Sequence, residues 1–121
     1  MSADRRAKPY DLEERTYLFA KCVRDLAKRV MLTIANQEDI RQLVHASGSV
    51  GANYIEANEA LSKKDFRMRI KICRKESKEC RYWLRLLDLE GRPELEPTRE
   101  ELMQESVEVM KIFGAILQKA E

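Results

Sequence analysis

The side chains that could do chemistry in this chain are few. There is one histidine, His45, three cysteines, Cys22, Cys73 and Cys80, and a cluster of carboxylates and amides, Asn53, Glu56, Asn58 and Glu59. A helical zinc pair needs ligands at i, i+4, and His45 has no such partner, so it is predicted at the surface or rim. Cys73 and Cys80 stand seven residues apart, two helical turns on one face, among apolar neighbours. They are read as small hydrophobes in a core, with a redox or small-ligand role for the three thiols as the rival. An odd number of cysteines without ligand spacing suits reduced thiols of a cytosol better than a disulfide framework. Inward carboxylates such as Glu56 and Glu59 build di-metal sites in bundles only with Glu-x-x-His motifs from two helices, which a lone histidine cannot supply. The sequence contains no Walker-type phosphate loop, no G-x-S-x-G elbow and no H-E-x-x-H. These residues predict no enzyme, no metal and no cofactor.

A second cluster, "ASGSVGAN", holds Gly48 and Gly51, two of only four glycines. One reading is a loop that cradles phosphate, although no strand precedes it and no Lys-Ser/Thr follows. The other is a helix that keeps its glycines for packing. Ser47 with Gly51, and Gly48 with Ala52, lie one turn apart and would let a neighbouring helix approach closely. On that reading Asn53, Glu56, Asn58 and Glu59 are placed to pair with Arg74, Lys75 or Lys78 of the next helix.

The elements that position these residues are all helical. Pro9, Pro93 and Pro97 fall where apolar periodicity is interrupted. Between them Leu12, Phe19, Val23, Leu26 and Val30 form one stripe, with Arg15 mostly off it. Ile40, Leu43, Val44, Ser47, Val50, Gly51, Tyr54, Asn58 and Leu61 form a second, led by Asn36 as the expected N-cap. Ser62 with Asp65 caps a third, where Phe66, Ile70, Cys73, Ser77, Cys80, Leu84 and Leu87 alternate by four and three. Leu102, Val109, Met110, Phe113, Ile116 and Leu117 form the fourth. The expectation is an all-α chain, one domain over 1–121, folded as an antiparallel up-down-up-down four-helix bundle with helices over about 11–32, 37–61, 63–89 and 98–120. Leu18, Ile55, Ile72, Leu86, Met103 and Ile112 lie off the stripes; they either widen the core or make subunit contacts.

The 121 residues are 44% apolar and 36% charged, with 23 Lys and Arg against 21 Asp and Glu. The sequence has no apolar run of membrane-spanning length and no recognisable signal peptide, so a cytoplasmic protein with no membrane partner is expected. The net charge of +2 hides an uneven distribution. Between Ser62 and Asp88 there are ten basic and four acidic residues, and from Glu94 onward three basic and seven acidic. Lys63, Lys64, Arg67, Lys71, Arg74, Lys75, Lys78 and Arg81 are the candidate phosphate contacts, with Tyr82 as the surface aromatic for base stacking and Trp83 more readily a packing residue. The rival is a solvated face, or one that pairs with the acidic fourth helix of the same or another subunit.

The stretch "SGSVGANYIEANEALSKKDFRMRIKICRKESKECRYWLRLL", Ser47 to Leu87, closely resembles the four-helix-bundle family encoded in intervening sequences of bacterial 23S rRNA genes. The motif S-G-S-V-G-A-N, the following E-A and S-K-K-D-F carry the resemblance, and "YDLEERTYLFAKCVRDL" is similar to the family's first helix. It implies a homo-oligomer that closes as a ring-like pentamer. A related branch, the accessory variability proteins of retroelements, is more basic, associates with a reverse transcriptase and binds nucleic acid. Two functions follow as expectations. One is a homopentamer that binds structured RNA or a ribonucleoprotein through the basic faces of helices two and three. The other is a protein-interaction scaffold or accessory subunit, for example for a reverse transcriptase, without nucleic-acid specificity of its own.

Overall fold

Four helices follow from four capping arrangements. The structure, a computed structural model, describes residues 11–120. Pro9 and Tyr10, which open the first helical pattern in the sequence, lie outside the described residues. Helix α1 (Leu12–Ala27) is capped by Asp11, whose carboxylate accepts from the Glu14 amide at 3.3 Å. Helix α2 (Ile34–Asn58) is capped by the Thr33 hydroxyl, which accepts from the Asn36 amide at 3.1 Å. Ser62 accepts from Asp65 at the head of α3 (Lys63–Leu86), as its spacing predicts. Helix α4 (Glu96–Lys119) has no side-chain cap. It continues from a 3₁₀ turn over Pro93–Leu95, and Pro97 sits in its first turn, where a missing N–H costs nothing.

Consecutive helices pack side by side, α1 on α2, α2 on α3 and α3 on α4, with α1 and α4 closing the bundle by a sparser contact. This is the antiparallel four-helix bundle that the four stripes predict. Phe19, Val23 and Leu26 meet Leu43, Val50, Ile70, Cys73, Cys80, Leu84, Val109 and Phe113 in a single buried cluster. Met103 and Ile112 pack against it and so widen the core, whereas Ile55 and Leu86 stay about half exposed. At one end Leu87, Leu89 and Leu95 of the α3–α4 connection complete the cluster.

Two arginines tie the α3–α4 pair at opposite ends. Arg67, near the start of α3, donates to the Leu117 carbonyl at the end of α4 at 3.0 Å. Arg99, near the start of α4, donates to the Leu84 carbonyl at the end of α3 at 3.1 Å. Each places a cation on a carbonyl in the last turn of a helix, at the negative end of its dipole.

The boundaries correct the sequence reading in several places: α2 starts at Ile34 rather than near residue 37, α3 stops at Leu86 rather than near residue 89, and α4 starts at Glu96 rather than near residue 98. Helix α1 stops at Ala27 rather than near residue 32, although Val30 is still buried from the loop. Asn36 is not the cap of α2. It is fully buried inside the first turn, where its amide nitrogen donates to the Met31 and Asp88 carbonyls and its amide oxygen accepts from the Asp88 N–H, each at 2.9 Å. The cap falls to Thr33 because that residue has the extended backbone a cap requires. Helix α2 ends at Asn58, so Leu61 loses the helical phase that would turn it inward and is fully exposed.

Candidate nucleic-acid interface

Helix α3 advances about 100° per residue, and that phase sorts its charges. With Ile70, Cys73, Ser77, Cys80 and Leu84 facing the core, the eight candidate cations fall together on the side that runs from solvent toward α4. Three contacts fix this orientation. Arg67 reaches Leu117 of α4. The Arg74 side chain passes 3.9 Å from where a Cβ on Gly114 of α4 would stand. Lys78, Arg81, Tyr82 and Arg85 line a groove with Ser77 and with Ser106, Val107 and Met110 of α4. The acids Glu76 and Glu79 belong to the other side of α3, toward α2, as does Arg69, which donates to Asn53 at 3.0 Å. Partial burial and the neighbouring Glu79 hold the Glu76 carboxyl above its usual range, against the opposing effect of Lys75 and His45.

Seven of the eight cations are exposed and Arg67 is half-buried. None of them forms an ion pair with a described residue. Of the acids of α4, Glu105 and Glu108 bond Arg15 of α1 and Glu96 bonds Arg99 of its own helix, while Glu100 and Glu101 are exposed and form no ion pair with a described residue. Among the described residues, α4 therefore forms no ion pair with the basic strip. The strip runs from Lys63 to Arg85, about 33 Å at 1.5 Å per residue. Helix α2 adds nothing to it, since its one Lys or Arg, Arg41, pairs with Glu38. The expected contribution of helix two is thus corrected: the basic face belongs to α3 alone.

The polar cluster of α2 is partnered differently from its expected pairing with Arg74, Lys75 or Lys78. Asn53 bonds the Ser49 carbonyl and hydroxyl besides Arg69. Asn58 donates to Glu13 of α1 at 2.9 Å. Glu56 and Glu59 are exposed. The reason is rotational: Asn53 faces α3 but meets Arg69, on the α2 side of that helix, and Asn58 faces α1, while Arg74, Lys75 and Lys78 turn away from α2.

The glycine segment is continuous helix. Ser47 is fully buried and donates to the Val44 carbonyl. A Cβ on Gly51 would stand 3.1 Å from Thr16 Oγ1 and 3.4 Å from Thr16 Cβ, so α1 does approach α2 through that glycine. Gly48 faces only the tip of Arg24, at 3.4 Å, and Ala52 is exposed, so this second pair of small residues does not mediate a helix crossing within the protomer. Instead Gly48, Gly51 and Ala52 floor a shallow groove of about 350 Å³ beneath Tyr17 and Ile55.

The cysteines have the character of packing residues. Cys73 and Cys80 are fully buried, and Cys73 donates to the Val50 carbonyl at 3.4 Å. Burial pushes the Cys73 thiol up to about 12 and raises Cys80 as well, so neither supplies a thiolate near neutral pH. His45 is exposed. Among the described residues no three His, Cys, Asp or Glu side chains are grouped to hold a metal ion, and no helix is long and apolar enough to cross a membrane.

Arg85 was not among the expected contacts, yet it completes the α3–α4 groove. The signal lay in the spacing of Lys78, Arg81, Tyr82 and Arg85 at i, i+3, i+4 and i+7, which puts all four on one face. Trp83 is half-buried against the core and meets Tyr82 edge-on, ring centroids 5.1 Å apart, while Tyr82 is 54% exposed.

The fold and surface together define an antiparallel helical bundle with one basic helix face that forms no ion pair among the described residues. The chain belongs to the 23S rRNA-intervening sequence protein family, whose pattern matches residues 11–115. Among solved structures it is similar to a protein with unknown function from the S23 ribosomal protein family of Bacteroides thetaiotaomicron VPI-5482. The two are 28% identical, the match covers 87% of this chain and 96% of the other, and the TM-score is 0.72. No curated protein matches the sequence.

Proposed function

We propose that this chain is a non-enzymatic, self-assembling bundle protein of the cytoplasm that binds structured RNA, alone or in a ribonucleoprotein, through the basic side of α3. The observation that carries the reading is the strip from Lys63 to Arg85, whose cations form no ion pair with a described residue. An array of this length matches a polyanion better than a single acidic side chain, because each Lys or Arg that meets a phosphate releases a condensed counterion. The names of the family and of the solved relative, both tied to ribosomal RNA or the ribosome, support rRNA as the first ligand to test. The pentameric ring is what the family resemblance implies. The groove beneath Tyr17 and Ile55, with its floor of small residues, is a surface on which another protomer could pack.

The test is filter binding of rRNA fragments across a salt series. The expected outcome is an affinity whose logarithm falls linearly with the logarithm of salt, with a slope of about −0.7 to −0.9 per phosphate contacted. No binding at low salt, or binding indifferent to salt, would sink the proposal.

The same apolar groove favours a second reading, a scaffold or accessory subunit for a nucleic-acid-processing protein such as a reverse transcriptase. Co-purification from the native host with and without nuclease separates the two. A protein partner retained after RNA removal supports the scaffold, and one lost with the RNA supports direct RNA binding.

A further inference from the structure

Three of the concavities on the bundle differ in what they could hold. The α1–α2 groove has an aromatic residue, Tyr17, but mixes Lys21 and Arg24 with Glu13. The hollow at the start of α3 has Lys63, Lys64, Arg67 and Lys71 beside Met68 and no aromatic ring. The α3–α4 groove combines both properties. It is about 450 Å³, carries Lys78, Arg81 and Arg85 with no acidic residue in its lining, and has Tyr82 on one wall and Val107 and Met110 on the other.

We infer that this groove seats an unpaired base of the bound RNA, stacked on Tyr82 and resting against Val107 and Met110, with the flanking phosphates on Lys78, Arg81 and Arg85. The inference rests on the RNA-binding reading above and adds the form of nucleic acid and the place of contact. Solubility alone explains a charged face, but not a concavity in which an apolar wall stands across from cations and a half-exposed aromatic ring. Tyr82 is also pre-positioned, because its ring is braced edge-on by Trp83, which packs on the core. That bracing lowers the ordering cost of stacking. A continuous A-form duplex keeps its base faces covered, offering phosphates and 2′-hydroxyls but nothing for Tyr82 to stack on, whereas loops, bulges and ends present splayed bases to aromatic side chains. Base–aromatic stacking tolerates any base, so the groove selects strandedness rather than sequence.

The experiment compares three RNA probes of equal length: a uridine oligomer, its abasic counterpart with the same sugar-phosphate chain, and a duplex. Binding is read by anisotropy, and the fluorescence of Trp83, the sole tryptophan, reports on the neighbouring ring. Wild-type protein is expected to bind the uridine oligomer on the order of tenfold more tightly than the abasic chain, the size expected for one stacked base. Tyr82→Ala should abolish that difference while leaving abasic binding and the salt slope unchanged, and Tyr82→Phe should keep it. Arg81→Ala should weaken both single-stranded probes together and reduce the salt slope by about one. Tyr82 is exposed, and an unchanged melting temperature verifies that its variants fold. Equal affinity for the uridine and abasic chains, a preference for the duplex, or a Tyr82→Ala loss shared by both single strands overturns the inference and leaves RNA binding standing. Failure of every probe to bind overturns both.

Discussion

Arg15 is 5% exposed, and its guanidinium forks onto Glu105, with Nε donating to Oε2 at 2.8 Å and Nη2 to Oε1 at 3.0 Å, while Nη2 also reaches Glu108 at 2.9 Å. Hydrogen bonds and charge from the two glutamates outweigh burial and keep the arginine firmly protonated. This contact is the main polar bond across the sparse α1–α4 seam. Arg15→Met takes both bonds of the fork from a carboxylate that stays buried, and is expected to cost about 3–5 kcal/mol in urea unfolding. The double variant Arg15→Met with Glu105→Leu should recover much of that loss, because apolar side chains of similar volume can replace a buried pair. The two glycines of α2 make a second residue-level contrast. Gly48→Ala places a methyl group against the flexible tip of Arg24 and should stabilise the helix by up to about 1 kcal/mol. Gly51→Ala meets Thr16, which is fully buried and held by its hydroxyl to the Leu12 carbonyl at 2.7 Å. The overpacking should exceed the gain in propensity, for a net loss of about 1 kcal/mol. Thermal unfolding of the pair checks both signs, and equal effects would contradict the close approach at Gly51.

At the scale of elements, the loops are held as firmly as the helices. Asn36, from the first turn of α2, bonds Met31 in the α1–α2 connection and both backbone groups of Asp88 in the α3–α4 connection. It thereby clamps the two loops at one end of the bundle, just where Leu87, Leu89 and Leu95 are buried. Asn36→Ala leaves two carbonyls and an N–H without their partner, and a loss of about 2–4 kcal/mol is expected. Hydrogen exchange should show the Asp88 amide losing protection in this variant ahead of the helix cores. Retained protection would show that the clamp is dispensable. The reciprocal arginines, Arg67 on Leu117 and Arg99 on Leu84, do similar work for α3 and α4. They hold the basic strip in fixed rotation relative to α4, and that rotation forms the groove at Tyr82.

For the whole molecule, the near balance of 23 basic and 21 acidic residues is misleading. The charge is segregated because Arg15 and Arg99 take three acids of α4, and the strip on α3 forms no ion pair among the described residues. A binding constant set by such a strip depends on salt, and Lys71→Ala and Lys75→Ala are each expected to lower the slope of the salt dependence by about one without altering the melting temperature. Both residues are exposed and free of ion pairs with described residues. Helix number, the four apolar stripes, the Ser62 cap and the concentration of positive charge on α3 were legible in the sequence, because each is a local property of spacing or composition. The fates of Arg15, Asn36 and Leu61 were not. Arg15 reads as a surface residue until Glu105, ninety positions away, is brought beside it. Asn36 has the composition of a cap, but the partner that claims its side chain is Asp88. Periodicity gives each helix a phase about its own axis, and that determined which residues are buried. It says nothing of how one helix is turned against the next, and only the tertiary structure decided that α3 presents its cations beside Val107 and Met110 of α4, making a groove of what the sequence alone offered as a charged face.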